Sequence, residues 1–140
     1  MVLESHRQRC IEVRTPASPC PFVGAPELIA QMLDKLLENA LEFCPADGKI
    51  TIALISQVDS YRLAVSNTGS RLPSGPPARL FDSMFSARTG SAPQPHFGLG
   101  LHVARLIVRR HNGIIDARNL PQGAGVEVSA TFHRTPDAPV

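Results

Sequence analysis

Residues 26–43 read PELIAQMLDKLLENALEF, and the spacing inside this stretch decides the fold class. Ile29, Met32, Leu33, Leu36, Leu37 and Ala40 recur at three- and four-residue steps, which predicts a helix with one broad apolar face. Pro26 stands at the start, where a missing N–H costs nothing. A second line, Gln31, Lys35, Asn39 and Glu42, shares one polar edge of the same cylinder. A ligand could lie along that edge, although a solvated face is the simpler account of Gln31, Lys35 and Glu42 taken alone. Asn39 is different, because asparagine is a poor helix former and here it is hemmed by core residues. Its amide oxygen suits a hydrated magnesium ion, which prefers oxygen ligands.

Outward from this helix the periodicity changes. Upstream, residues 9–14 (RCIEVR) alternate as a half-buried strand does, and Pro16, Pro19 and Pro21 then predict a stiff loop. Downstream, Ala46-Asp47-Gly48-Lys49 forms a turn. Ile50, Ile52 and Leu54, then Leu63 and Val65, alternate about a second turn at Asp59-Ser60, which predicts an antiparallel hairpin. Residues 71–97 lose all period and hold five prolines, so a long lid-like loop is expected, with one short helix over 78–85. Helical spacing returns over 99–111 through Leu99, Val103, Leu106 and Ile107, with Asn112-Gly113 as its stop. Residues 114–118 and 126–132 predict a closing hairpin, and the two prolines of 134–140 a frayed tail.

The 140 residues, 43% hydrophobic and 19% charged, suit a single domain spanning 1–140 and leave no room for a second. Net charge is +2 and the 14 basic residues are scattered, which excludes a stripe able to track nucleic-acid phosphates. The apolar run 99–108 is broken by His102 and Arg105, far short of the ~20 residues a bilayer requires. The N-terminal residues do not resemble a secretion signal, so a cytoplasmic domain without membrane contact is expected. Cys10, Cys20 and Cys44 fit neither a disulfide framework nor zinc spacing and are expected to be reduced.

Two further segments carry chemistry. Val65-Ser66-Asn67-Thr68-Gly69 ends a strand in a hydrogen-bonding residue and a glycine, which an ordinary Asx-type turn also explains. Phe97-Gly98-Leu99-Gly100-Leu101 sets two glycines at a helix start. Free amides and the positive dipole end suit a triphosphate there, whereas glycines also serve as plain hinges.

In order along the chain, QMLDKLLENALEFCP (31–45), VSNTGSRLP (65–73), RLFDSMFS (79–86) and HFGLGLHVARLIVRRHNG (96–113) resemble four boxes of one family. They are similar to the N box, first glycine box, phenylalanine box and second glycine box of the ATP-binding catalytic domain of sensor histidine kinases. That domain belongs to the GHKL superfamily, shared with gyrase-type and heat-shock chaperone ATPases. The resemblance implies an α/β fold, a two-layer α/β sandwich with a mixed sheet of about five strands packed on three helices. It implies ATP or ADP as ligand and Mg2+ as cofactor. By the same resemblance Asn39 would touch magnesium, Asn67 would accept a hydrogen bond from the adenine amino group, and Gly69 would let the chain pass close to the base. Gly98, Leu99, Gly100 and Leu101 would line the phosphates, Phe81 and Phe85 would anchor the lid, and Lys35, Phe43 and Leu72 complete the implied nucleotide-binding set. The γ-phosphoryl would pass to a histidine on the parent protein's own dimerisation domain, outside this chain, and then to a response regulator. The parent would be anchored in the inner membrane, and the isolated domain would turn over little.

The family usually has aspartate where this chain has Asn67, glycine at Arg71 and His96, and a phosphate-facing lysine or histidine at Glu42. Weaker adenine binding is expected, since a charge-assisted bond is given up. ATP-hydrolysing relatives carry a glutamate base at the position of Lys35, and a protonated lysine cannot replace it. Phosphoryl transfer relies more on positioning and charge neutralisation. Two rivals remain open: an anti-sigma-factor-type serine kinase, which would require the glutamate absent at Lys35, and a degenerate module that binds a partner without catalysis. Residues 11–16 (IEVRTP) resemble the family's phospho-acceptor motif with isoleucine in place of histidine, and read as a coincidence within a strand. His6, His96, His102, His111 and His133 lie in no matching motif and are expected at the surface or as caps.

Overall fold

The computed structural model describes residues 10–72, 75, 80–81 and 97–134, with the backbone alone for 97–99. Five strands and two α-helices follow in the order β1 (Cys10–Arg14), α1 (Pro26–Phe43), β2 (Lys49–Ser56), β3 (Ser60–Asn67), α2 (Phe97–Arg110), β4 (Ile114–Asn119) and β5 (Val126–His133). The sheet runs β1-β2-β3-β5-β4. β1 lies parallel to β2, and every other pairing is antiparallel, so the sheet is mixed as expected. Of the three expected helices, two are among the described residues. The third, over 78–85, falls outside them apart from Leu80 and Phe81, as do the lid residues 82–96 and the tail 135–140.

Strand alternation decides where the layers meet. The register puts Ile52, Val65 and Val128 in one row across β2, β3 and β5, with Ile50, Val126, Ala130 and Phe132 on the same face. Against that face α1 lays Met32, Leu36, Leu37, Ala40 and Leu41, and α2 lays Leu101, Ala104, Ile107 and Val108, closing one core. The opposite sheet face is polar, carrying Glu12, Thr51, Arg62, Ser66, Glu127 and Asp116.

Helix ends explain how α1 and α2 are fixed side by side. α1 has Ala25 at its N-cap, which offers no side-chain bond, while Pro26 occupies the first turn. His111, beyond the end of α2, fills the gap: its Nε2 accepts from Ala25 N–H at 3.0 Å. Its Nδ1 lies 2.8 Å from the Ile107 carbonyl, an acceptor only, so Nδ1 carries the proton. The ring also packs against Phe22 and Phe132, making His111 a cap set in an aromatic cluster.

Two boundaries differ from the periodicity. α2 begins at Phe97, two residues before the expected start, so Gly98 and Gly100 lie inside its first turn. It stops at Asn112-Gly113 as expected, with Asn112 as the left-handed residue (φ 59) and Gly113 N–H returning to the Val108 carbonyl at 2.9 Å. Arg134, expected to fray, is tied down: its N–H donates to the Asp59 carbonyl, its guanidinium donates to the Gln57 carbonyl, and it stacks 4.5 Å from the Tyr61 ring centre. The three cysteines are free, as expected, with Cys44 buried.

Candidate functional site

The polar edge of α1 faces the first turn of α2. A cleft between them is lined by Lys35, Glu38, Asn39, Glu42, Phe43, Gly100 and Leu101. Helical spacing accounts for the α1 side, since 35, 39 and 42 stack within two turns. Gln31 sits on the same edge but outside the cleft and is exposed. On the α2 side, Leu101 is buried and Gly100 leaves the wall open. A Cβ at Gly100 would lie 3.8 Å from Lys35 Cδ, so any side chain there would narrow the cleft. Amides in the first turn of a helix lack intrahelical partners, and no acidic residue stands in the first turn of α2. That end therefore presents positive potential to the cleft.

The side chains oppose it. Lys35 Nζ lies 3.7 Å from Glu38 Oε1, a partly exposed pair of small worth, and Glu42 adds a second carboxylate. One lysine against two glutamates leaves the cleft's side chains at −1, so a polyphosphate there needs a cation. Among the described residues no group of three His, Cys, Asp or Glu stands ready to hold a metal. An amide oxygen, one or two carboxylates and the ligand's own phosphates are, however, a donor set that suits magnesium. The enclosed space is about 10 Å3, the size of one water or ion. A larger ligand must lie along the open side.

Asn67 ends β3 and is 4% exposed. Its Nδ2 donates to the Thr68 carbonyl at 3.0 Å and to Ser70 Oγ at 2.7 Å. Because a carbonyl can only accept, this fixes the amide and presents Oδ1 as an acceptor. Gly69 adopts φ +83, and a Cβ there would come 2.7 Å from the Pro45 ring. Pro45 follows the last turn of α1 directly, so this contact joins the Asn67 turn to the end of the helix that bears Asn39 and Phe43. Leu72 N–H donates to Asn119 Oδ1 at 2.9 Å, 47 residues away. Phe81 is 2% exposed within the core, and its carbonyl faces His102 Nδ1 at 3.3 Å.

Of the expected residues, Lys35, Asn39, Phe43, Gly100 and Leu101 thus share one cleft. Asn67, Gly69 and Leu72 stand at the adjoining sheet end and are not in its wall. Gly98 and Leu99 belong to the first turn of α2, while Phe85 and His96 lie outside the described residues. Two residues went unread in the sequence. Gly125 (φ +143) packs so closely on Asn67 that a Cβ would meet its carbonyl oxygen at 2.0 Å. Asn119 holds the start of the 71–97 segment. The doubled glycine of 123–125 was the available signal for the first; no local pattern marks the second.

A helix-edge asparagine thus faces a glycine-opened helix start beside a strand-end amide, on a two-layer α/β fold. Residues 24–136 match the histidine kinase-, DNA gyrase B-, and HSP90-like ATPase family, and the chain belongs to it. Particular relatives are the sensor protein CreC of Escherichia coli K12 and the adaptive-response sensory kinase SasA of Synechococcus elongatus. CreC is 35% identical over 109 residues, covering 78% of this chain and 23% of that protein. SasA is 34% identical over 131 residues, covering 92% and 32%. The chain therefore spans only 23% to 32% of the length of these relatives. Among solved structures, the mycobacterial sensor histidine kinase MprB has the same fold, with TM-score 0.82 at 20% identity over 95% of this chain and 89% of that one. Full-length ShkA in complex with AMPPNP (TM-score 0.76, 20% identity, 99% and 29% covered) and histidine kinase ThkA in complex with response regulator protein TrrA (0.77, 23%, 97% and 37%) share it too. Among the described residues no helix is long and apolar enough to cross a membrane.

Proposed function

We propose that the chain is the ATP-binding catalytic domain of a two-component sensor histidine kinase, which binds Mg-ATP and presents the γ-phosphoryl to a histidine on a dimerisation domain outside this chain. The observation that carries the reading is the meeting of Lys35 and Asn39 with Gly100 and Leu101 across one cleft, in a chain of this ATPase family. Asn39 offers the amide oxygen for magnesium, whose chemistry when bound is to neutralise phosphate charge. The first-turn amides of α2 hold the phosphates, and Gly98 and Gly100 keep side chains out of their way. Asn67 Oδ1 accepts from the adenine amino group, with Gly69 allowing close approach of the chain. Phe43 and Leu72 border the nucleotide, and Phe81 and Phe85 anchor the lid. Lys35 supplies positive charge and no base, so transfer to an acceptor is favoured over hydrolysis. The acceptor histidine and a response regulator follow in sequence, by analogy with the kinase solved in complex with its regulator.

Calorimetric titration of a non-hydrolysable ATP analogue with magnesium tests the reading. Saturable binding is expected, and Asn39→Ala should weaken it on the order of 10–100-fold, the worth of one bond to a charged group. No binding at millimolar ligand would instead identify a degenerate partner-binding module. Binding indifferent to both magnesium and Asn39→Ala would overturn the assigned geometry.

A further inference from the structure

The segment 67–72 joins the two residues read at the base side of the nucleotide, Asn67 and Leu72, by way of Gly69, whose φ of +83 lies in the left-handed region. A chain with a glycine at its middle is pliable, so its shape depends on what holds it from outside. The first half is held from the end of α1 and the start of β2. Thr68 N–H donates to the Lys49 carbonyl at 3.0 Å, Thr68 Oγ1 accepts from Lys49 N–H at 3.0 Å, and Gly69 lies against the Pro45 ring. Beyond Ser70 the hold passes to a different element. Leu72 N–H donates to Oδ1 of Asn119, the last residue of β4, at 2.9 Å.

The turn that follows Asn119 keeps that acceptor in place. Leu120 N–H closes it onto the Gly125 carbonyl at 2.8 Å, and Ala124 N–H returns to the Pro121 carbonyl at 3.2 Å. Gln122 takes φ 61, uncommon for a residue with a side chain, and Gly123 follows at φ 68. At the far end of the turn Gly125 presses on β3, where a Cβ would meet the Asn67 carbonyl oxygen at 2.0 Å. One turn therefore touches both ends of 67–72: the Asn67 carbonyl through Gly125, and Leu72 N–H through Asn119. The end of α1 and the 119–125 turn grip the segment from two sides. Asn119 itself is exposed, so its side chain adds little packing, and what it supplies is an acceptor for one backbone N–H.

We infer that Asn119 is a positioning residue for the base of the nucleotide: it touches no ligand and acts through Leu72, fixing where the chain that borders the base leaves the Asn67 turn. The inference rests on the reading of this end as the adenine side of an ATP site. Without the bond Leu72 is free to take other positions, and binding must then order it again at a cost in affinity. In calorimetric titration with magnesium, Asn119→Ala should weaken a non-hydrolysable ATP analogue and ADP by the same factor, roughly 3–10-fold, the worth of one neutral hydrogen bond. The factors should be equal because both ligands carry the base and only one the γ-phosphate. Amide hydrogen exchange at Leu72, followed by NMR without nucleotide, should quicken in the same variant while the thermal midpoint changes little. Asn119→Asp keeps an acceptor oxygen in the same place and should restore both the affinity and the slow exchange, which a role in packing alone would not produce. Unchanged exchange at Leu72 or unchanged affinity in Asn119→Ala overturns the inference, as does a loss in Asn119→Asp as large as in Asn119→Ala. A loss for the ATP analogue without one for ADP moves the effect to the phosphates and overturns the base-side role. A parent chain that binds neither nucleotide overturns the ATP reading and this inference with it, whereas a parent that binds both, matched by Asn119→Ala, overturns this inference alone.

Discussion

Asn67 uses its amide at both ends: Nδ2 holds the Thr68 carbonyl and Ser70 Oγ, and Oδ1 is left to accept. This changes how the departure from the family's aspartate is understood. A carboxylate at this position would gain a charge-assisted bond to a donor ligand but would set an oxygen against the Thr68 carbonyl. Asn67→Asp should therefore lower the unfolding free energy by about 1–3 kcal/mol, as a lost buried donor does; urea denaturation measures it, and a variant as stable as the parent would contradict the network. Glu12 offers a residue-level test in pH. Hydrogen bonds from Arg14 and Lys49, both at 2.6 Å, hold its carboxyl at about 2 against an ordinary 4.5. A lowered pKa in the folded state stabilises above the unfolded value and is lost as pH falls through the folded one. The difference in thermal midpoint between the parent and Glu12→Gln, present near neutral pH, should shrink as pH falls from about 4.5 to about 2, and a constant difference would show that the trio is not formed.

At the level of elements, α2 carries a conflict between stability and ligand access. Glycine inside a helix costs up to about 1 kcal/mol relative to alanine, and Gly100 is inside α2. Its Cβ would make ordinary contact with Lys35 while filling a cleft whose enclosed space is about 10 Å3. Gly100→Ala should therefore leave the thermal midpoint unchanged or raised and weaken the ATP analogue by roughly tenfold, about 1.4 kcal/mol. Calorimetry on one protein sample reads both quantities, and a stabler variant with unaltered affinity would remove Gly100 from the site. The turn 119–125 is the other informative element. Asn119 binds the chain at Leu72 and Gly125 supports Asn67, so the β4–β5 connection braces the strand end from behind.

Across the whole molecule, stability rests on the layer between α1, α2 and one sheet face. Met32 is fully buried at its centre, and Met32→Ala should cost about 2–5 kcal/mol, a large part of the ~5–15 kcal/mol available to a domain. Chemical denaturation checks this, and a loss well below that range would mean the helices are not packed as described. The helices, the two hairpins and the α/β class were legible because a core face leaves a period of 3.6 in a helix and 2 in a strand. PELIAQMLDKLLENALEF thus marked α1 to the residue, and the glycine pair marked the start of α2 to within two. What local pattern could not carry was anything set by residues far apart in the chain. His111 capping Ala25, Asn119 holding Leu72 and Gly125 against Asn67 all join segments that the fold alone brings together. The sequence by itself determined which faces must be buried, because hydrophobic periodicity is local. Only the tertiary structure decided which polar groups meet, because hydrogen bonds depend on position to a few tenths of an ångström and sequence spacing does not record it across a turn.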